Sequence, residues 1–599
     1  MRVNWLLVST VAGTLLAACG GAVSEPPTPD VPAPSGDPAP AVAMPDVDED
    51  GCQRRVFPLA EPATQARRRP DPALLAAATA GLTDERRAVL DALLLEAPLA
   101  DIQAALAGGR TTSAELVAYT LDRIARYDAG GLNAVMELNP QAPAIAAALD
   151  AERGTAGPRG PLHGIPVLIK DNIATGDGLH TTAGVFALRD WQPQRDAFLV
   201  ARLRQAGAVI LGKTNLSEWA NYTDVCLPNG FSAVGGQTHS PYGPFDPSGS
   251  STGSAVAVAA NLAPLSVGSE TQGSIIGPAR THSLVGLKPS VGLISRSGVV
   301  PLVDWMDTPG PFGRSVADVA ALLTALAAPG PEGIDADDPA TAAAAPLVGR
   351  DFTRYLSPAM AGRVRVGVIA VTEGDVAAAL AERQRDLGRD LTADEAAEVR
   401  NALVMTGEGE RIAAALQTQG VTVVFIPYEA SFRLTAPELG QVLEYGFGDG
   451  LNRFLSGWAA GAPVRSLAEV ATVYAADPTH RAPYGFRSVA ASAATTITAT
   501  EYAMLVEANR AGAQAAIRAL LREYDVDVLA GRVGYGYAAA GFPALAVPDG
   551  LNAAGKPVGV VFIGDYLSEP QLLAAGAAYE RARAGRVAPD LDAILPTLP

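Results

Sequence analysis

The chain has 599 residues, 48% hydrophobic and 18% charged. That is enough apolar material for a large core, and it excludes a disordered tail or a small disulfide-stapled module. Asp and Glu number 63 against 45 Lys and Arg, a net charge of −18 that repels phosphate backbones and excludes nucleic-acid binding.

Arg2 precedes an apolar run from Trp5 to Ala18, shorter than the roughly 20 residues a membrane span needs and suited to an export signal over 1–18. The run ends in Leu16-Ala17-Ala18-Cys19-Gly20, which resembles the lipobox of bacterial lipoproteins. The resemblance implies cleavage before Cys19, a diacylglyceryl group on its sulfur, and an exported protein held by its lipid on a cell-envelope membrane, outer or inner. Residues 24–50 carry eight prolines and an acidic end at Asp46, Asp48, Glu49 and Asp50, so 19–50 reads as a tether that cannot order itself. Residues 51–84 read as an N-terminal extension, and 85–599 as one folded body. Cys52 and Cys226 are either a pair or two buried thiols; sequence alone leaves both open.

Within that body, Thr112-Ser-Ala-Glu115 fits a capping box that opens an amphipathic helix through Leu116, Tyr119, Leu121 and Ile124. Strand-like runs follow at Pro166–Lys170, Ala208–Gly212, Val364–Val371, Val421–Pro427, Val526–Leu529, Ala544–Pro548 and Val558–Gly564. The Ala-Pro stretch 329–347 reads as a surface loop and 372–419 as helical decoration. Ser568-Glu-Pro-Gln571 fits a second capping box, opening a helix through Arg583. Strands alternating with helices predict an α/β fold with a sheet covered on both faces.

The five histidines, His163, His180, His239, His282 and His480, make no metal-binding spacing, and the chain has no phosphate-binding glycine motif, so no metal or other cofactor is expected. Small residues instead crowd two loops, Asp246-Pro-Ser-Gly-Ser250-Ser251-Thr-Gly-Ser254 and Gly268-Ser-Glu-Thr271-Gln272-Gly273-Ser274. Such loops let backbone N–H groups approach a developing negative charge. Gly249–Gly253 satisfies G-x-S-x-G, but the preceding 240–247 holds three prolines and cannot be the strand an α/β-hydrolase elbow needs.

Gly164-Ile-Pro-Val-Leu-Ile-Lys170-Asp-Asn172, the Ser250–Ser254 loop, Thr271-Gln-Gly-Ser274, Asp307-Thr-Pro-Gly-Pro311 and Arg314-Ser-Val-Ala-Asp318 together resemble the amidase signature family. The 24-residue interval from Ser250 to Ser274 is the one that family's serine pair requires. The resemblance covers roughly residues 85–590. It is strongest to bacterial peptide amidases, through Lys213–Trp219, Gly235–Thr238 and Gly541–Pro548. It implies a single large catalytic domain built on a mixed, twisted sheet. It also implies hydrolysis of linear amides through an acyl-enzyme: Ser274 attacks, Ser250, after a cis peptide, relays the proton, Lys170 is the base, and the N–H groups of Thr271, Gln272, Gly273 and Ser274 bind the oxyanion. The readings kept beside it are an inert binding or assembly protein of the same fold, an ester hydrolase, and the glutaminase subunit of a tRNA amidotransferase. The export signal and acidic chain argue against the last.

The chemistry stands without the resemblance. A serine hydroxyl needs a neighbour to take its proton, and with histidine scarce a neutral lysine is the available base. Its ordinary pKa of about 10.4 must fall by burial or nearby positive charge. Only four of the 45 basic residues are lysines: Lys170, Lys213, Lys288 and Lys556. One that ends an apolar strand, as Lys170 does, is therefore informative, although Lys213 is a rival and pairing of Lys170 with Asp171 is the bland alternative. Gln272, Ile276-Gly277 and a short 528–540 segment depart from the family pattern and bear on substrate choice.

Overall fold

Runs rich in β-branched residues become the strands of one sheet, and the segments between them return as helices across its faces. The computed structural model describes residues 67–327, 334–371, 373–402, 408–435, 437, 439–459, 461–531 and 533–598, with 52, 57, 59, 62 and 64. The expected export signal, lipidated Cys19 and tether lie outside the described residues.

The strands are β1 (Val135–Leu138), β2 (Pro166–Lys170), β3 (Val209–Thr214), β4 (Phe231–Ser232), β5 (Gly236–Gln237), β6 (Leu265–Glu270), β7 (Val285–Lys288), β8 (Thr308–Gly313), β9 (Arg365–Ala370), β10 (Thr422–Pro427), β11 (Val528–Gly531), β12 (Ala544–Leu551) and β13 (Pro557–Gly564). β4 and β5 form a small hairpin. The other eleven make one mixed sheet in the order β1-β3-β2-β6-β8-β7-β12-β13-β11-β9-β10. β2 runs parallel to both neighbours, with Lys170 opposite Thr214 and Ile169 opposite Val267. Parallel pairing brings the C-terminal tips of β2, β3 and β6 to the same end of the sheet, where α/β folds hold their ligands. The helices Val316–Leu326 and Glu569–Arg583 pack their apolar residues into one large core cluster. Thr252–Ala259, Ile276–Thr281 and the end of Ala499–Glu523 contribute to a second. The sheet is thus covered as an α/β alternation demands.

β8 was not legible as a strand because it contains Pro309 and Pro311, which remove ladder donors. It lies inside the sheet nonetheless. It pairs with β6 along its length but with β7 only at Phe312 and Gly313, beyond the prolines. Both expected capping boxes are incomplete. Thr112 accepts the Glu115 N–H, but the Glu115 carboxylate turns to Arg86 and Thr111. Ser568 makes no side-chain cap, and Glu569 instead accepts the Ser290 N–H at 2.6 Å.

Cys52 and Cys226, left open by the sequence, form a disulfide with Cα atoms 5.4 Å apart, joining points 174 residues distant. Beside it Arg487 holds Asp224 through several hydrogen bonds. Cross-links over long loops typically stabilise by about 2–4 kcal/mol. Cys226→Ser is therefore expected to lower Tm by several degrees with little change in kcat; an unchanged melting curve against wild type under non-reducing conditions refutes this.

Candidate active site

Lys170 stands at the tip of β2, with every residue of the strand buried between β3 and β6. A lysine there loses its hydration, and burial brings its pKa down to about 7, against the raising influence of Asp307 and then Glu270. Its Nζ lies 2.8 Å from Ser250 Oγ, 3.0 Å from Ser251 Oγ, 3.0 Å from Ser269 Oγ and 3.3 Å from the Ser269 carbonyl. Among the described residues no carboxylate bonds it. Asp171, the bland partner, accepts from Thr182 and faces Lys213.

Lys213, the rival base, donates to the Ile173 carbonyl at 2.7 Å and to Thr181 at 2.8 Å, and touches neither serine loop. Lys288 is also buried, its pKa brought down to about 8 by burial, but it donates to the Phe542 and Pro289 carbonyls. Only one of the buried lysines therefore meets the serines.

The Ser250 loop is delivered by packing so close that side chains are excluded. A Cβ on Gly253 would stand 2.4 Å from the Ala134 carbonyl and 2.5 Å from that of Asn215. The Gly249–Ser250 peptide is cis. Among the described residues the Ser250 hydroxyl bonds Lys170 alone. The Ser251 hydroxyl is engaged otherwise: it donates to the Ser269 carbonyl at 2.8 Å and accepts the Ser269 N–H at 3.1 Å.

Ser274 lies in the loop leaving β6, 6% exposed, and its carbonyl accepts the Ser251 N–H at 3.3 Å, which ties the two serine loops together. Its hydroxyl bonds no protein group among the described residues, so the Ser274–Ser250 contact is not closed in this geometry. Catalytic hydrogen bonds commonly tighten only in the substrate complex. Of the four expected oxyanion donors, the Gly273 N–H is already committed, donating to Glu270 at 2.7 Å. Those of Thr271, Gln272 and Ser274 have no protein acceptor among the described residues.

Asp307 sits beneath this loop, accepting from the Thr271 hydroxyl and from the N–H groups of Leu302 and Val303; burial lifts its pKa to about 6. Asp307 also lines a 260 Å³ cleft with Arg296, Asp304, Phe454 and Trp458. On the loop's other side the half-exposed Tyr535 ring packs against Gly273, whose φ of +82° and crowded α-carbon suit glycine alone. Among the described residues no cluster of His, Cys, Asp or Glu is placed to hold a metal ion.

Residues 115–405 match the family model described as Amidase. Over 498 residues the chain is 34% identical to a probable amidase of Arabidopsis thaliana, covering 81% of this chain and 90% of that one. The chain belongs to the amidase signature family. As a member it is a hydrolase of amide carbon–nitrogen bonds. Its fold matches an amidase family protein from Bacillus anthracis with a TM-score of 0.75, at 34% identity over 86% of this chain and 97% of that one. The native peptide amidase from Stenotrophomonas maltophilia matches at 0.70, with 37% identity over 83% and 99%. The amidase residues that sequence reading left without a role are Ser269, Glu270, Asp307 and Tyr537. The first three lay inside quoted motifs, but nothing in their spacing says that they face a lysine or a loop.

Proposed function

We propose that this amidase hydrolyses linear amides, C-terminal peptide amides among them, through an acyl-enzyme on Ser274. The observation that carries the reading is the 2.8 Å contact of a buried, pKa-depressed Lys170 with Ser250, whose loop is bonded to that of Ser274. Neutral Lys170 accepts the Ser250 proton as Ser250 accepts that of Ser274, and Ser274 Oγ bonds to the amide carbon. The oxyanion takes the free N–H groups of Thr271, Gln272 and Ser274. As the carbon–nitrogen bond breaks, the amine leaves with the proton returned through Ser250. Water then enters by the same relay and releases the acid. The reaction balances without a cofactor.

The test is mass spectrometry of purified protein treated with a fluorophosphonate, together with amine release from amino-acid, peptide and fatty amides. One phosphonyl group on Ser274 and release from part of the panel are expected. No adduct and no amine would leave the inert-scaffold reading standing.

The half-exposed Tyr535 ring packs against Gly273 of the nucleophile loop, which favours amides with a large apolar or aromatic group at that wall. Tyr535→Ala is expected to raise KM about fivefold for an aromatic acyl amide and to leave a small aliphatic amide within twofold; equal effects on both would remove Tyr535 from the pocket wall. We also propose that the protein is exported and anchored through Cys19. The Cys52–Cys226 disulfide supports an oxidising compartment. Labelling by radioactive palmitate in the wild type, lost in Cys19→Ala, is the expected result.

A further inference from the structure

A carboxylate taken fully out of water persists only where donors satisfy it. Glu270, 1% exposed at the end of β6, has no salt-bridge partner among the described residues. Four neutral donors hold it instead. Oε1 accepts the Gly273 N–H at 2.7 Å and the Tyr537 hydroxyl at 2.8 Å; Oε2 accepts the N–H groups of Ile275 at 2.7 Å and Ile276 at 2.9 Å. Backbone N–H groups converging on one anion make a nest, and here the residue skipped at its centre is Ser274. The loop is wrapped around the carboxylate so that its remaining N–H groups are left for another acceptor.

Tyr537 comes from the short segment after β11. There Gly534 and Gly536 press on the Leu434 carbonyl, with room for no side chain: a Cβ would stand 2.4 and 2.8 Å from it. The segment is thus held tightly against Leu434, and it supplies the one side-chain donor of the nest.

We propose that Glu270 and Tyr537 form a positioning pair that fixes the nucleophile loop, gripping the residues on either side of Ser274 and keeping the Gly273 N–H out of the oxyanion site. The proposal rests on Ser274 being the nucleophile. Glu270 has a second effect through charge. The charges facing Lys170 are Asp307 and Glu270, both of which hold its pKa up against burial; Glu270 and Asp307 face Lys288 as well, with Glu569. Lys213, on the neighbouring strand, is turned to Ile173 and Thr181.

Three full-chain variants separate position from charge: Tyr537→Phe, Glu270→Asp and Glu270→Gln. The readouts are the rate of fluorophosphonate labelling at Ser274, kcat and KM for an amide the wild type cleaves, and the pH midpoint of kcat/KM. Tyr537→Phe is expected to slow labelling and kcat about tenfold, with KM within twofold and the midpoint unmoved, since one neutral donor is lost. Glu270→Gln, which replaces an acceptor by an amide N–H₂ facing other donors, is expected to lower kcat about a hundredfold. It should also move the midpoint to lower pH, because one negative charge no longer favours protonated Lys170. Glu270→Asp keeps the charge but not the reach, so rate falls while the midpoint stays.

Wild-type labelling rates in both Tyr537→Phe and Glu270→Gln would overturn the pair, as would losses carried by KM. Should Glu270→Gln fail to fold, Tyr537→Phe, smaller by one oxygen, decides alone. An unlabelled wild-type Ser274 would overturn the nucleophile assignment and this proposal with it; a labelled wild type with unaffected variants would overturn the pair only.

Discussion

Lys170→Arg is expected to lower kcat/KM by about 10²–10⁴-fold, the range that loss of a general base commands. The positive charge is kept, so a site that needed only a cation would survive. What is lost is the neutral state: arginine does not deprotonate in proteins, and its planar fork is too large for the space among Ser250, Ser251 and Ser269. The same argument fixes the pH dependence. Burial holds Lys170 near pKa 7, and the active form is the uncharged amine, so the wild-type rate rises with pH about tenfold per unit below the midpoint and levels above it. Initial rates from pH 5 to 9 check both statements. A flat profile beside an active Arg variant would assign the base to another group.

The α/β class and seven strand positions could be read because β-branched runs bounded by turns carry a strong local signal. β8 could not, since its two prolines argue against a strand locally and are tolerated only because the β7 ladder stops at Phe312. At the site, the scarcity of lysine drew attention to Lys170, and the resemblance to the amidase signature family pointed to Ser250 and Ser274 through their 24-residue interval; the structure brings Lys170 to Ser250. The partners that ready them could not. Glu270 at the end of β6 and Tyr537 in the segment after β11 are separated by 267 residues, and Asp307 reaches Thr271 from 36 residues on. Contacts of that span arise from topology, which no window of sequence contains. For the same reason sequence could not show that the Gly273 N–H, an expected oxyanion donor by position, donates to the buried Glu270 carboxylate.

Ser274→Ala sets the floor of activity, and Ser250→Ala is expected to fall to within tenfold of it, at least about 10³-fold below wild type. The reason lies in where the hydroxyl hydrogens go. Three serine hydroxyls stand against Lys170 Nζ, Ser250 at 2.8 Å and Ser251 and Ser269 at 3.0 Å, so distance alone does not choose the relay. Ser251 already donates its hydrogen to the Ser269 carbonyl, and an O–H has only one to give. Ser250 has no competing acceptor among the described residues and, unlike Ser269, stands on the loop bonded to that of Ser274, so its hydrogen is the one placed to pass from the nucleophile's side to the neutral amine. Ser251→Ala therefore removes support at the end of β6 and is expected to cost about tenfold, whereas Ser250→Ala cuts the path itself. Residues acting as a unit lose nearly everything at the first deletion. The Ser250→Ala/Ser274→Ala double variant should accordingly be no slower than Ser274→Ala, measured by amine release under single-turnover conditions. If Ser251→Ala proves the more damaging of the two single changes, the proton runs through Ser251 and the assignment of the loop's hydrogens is reversed.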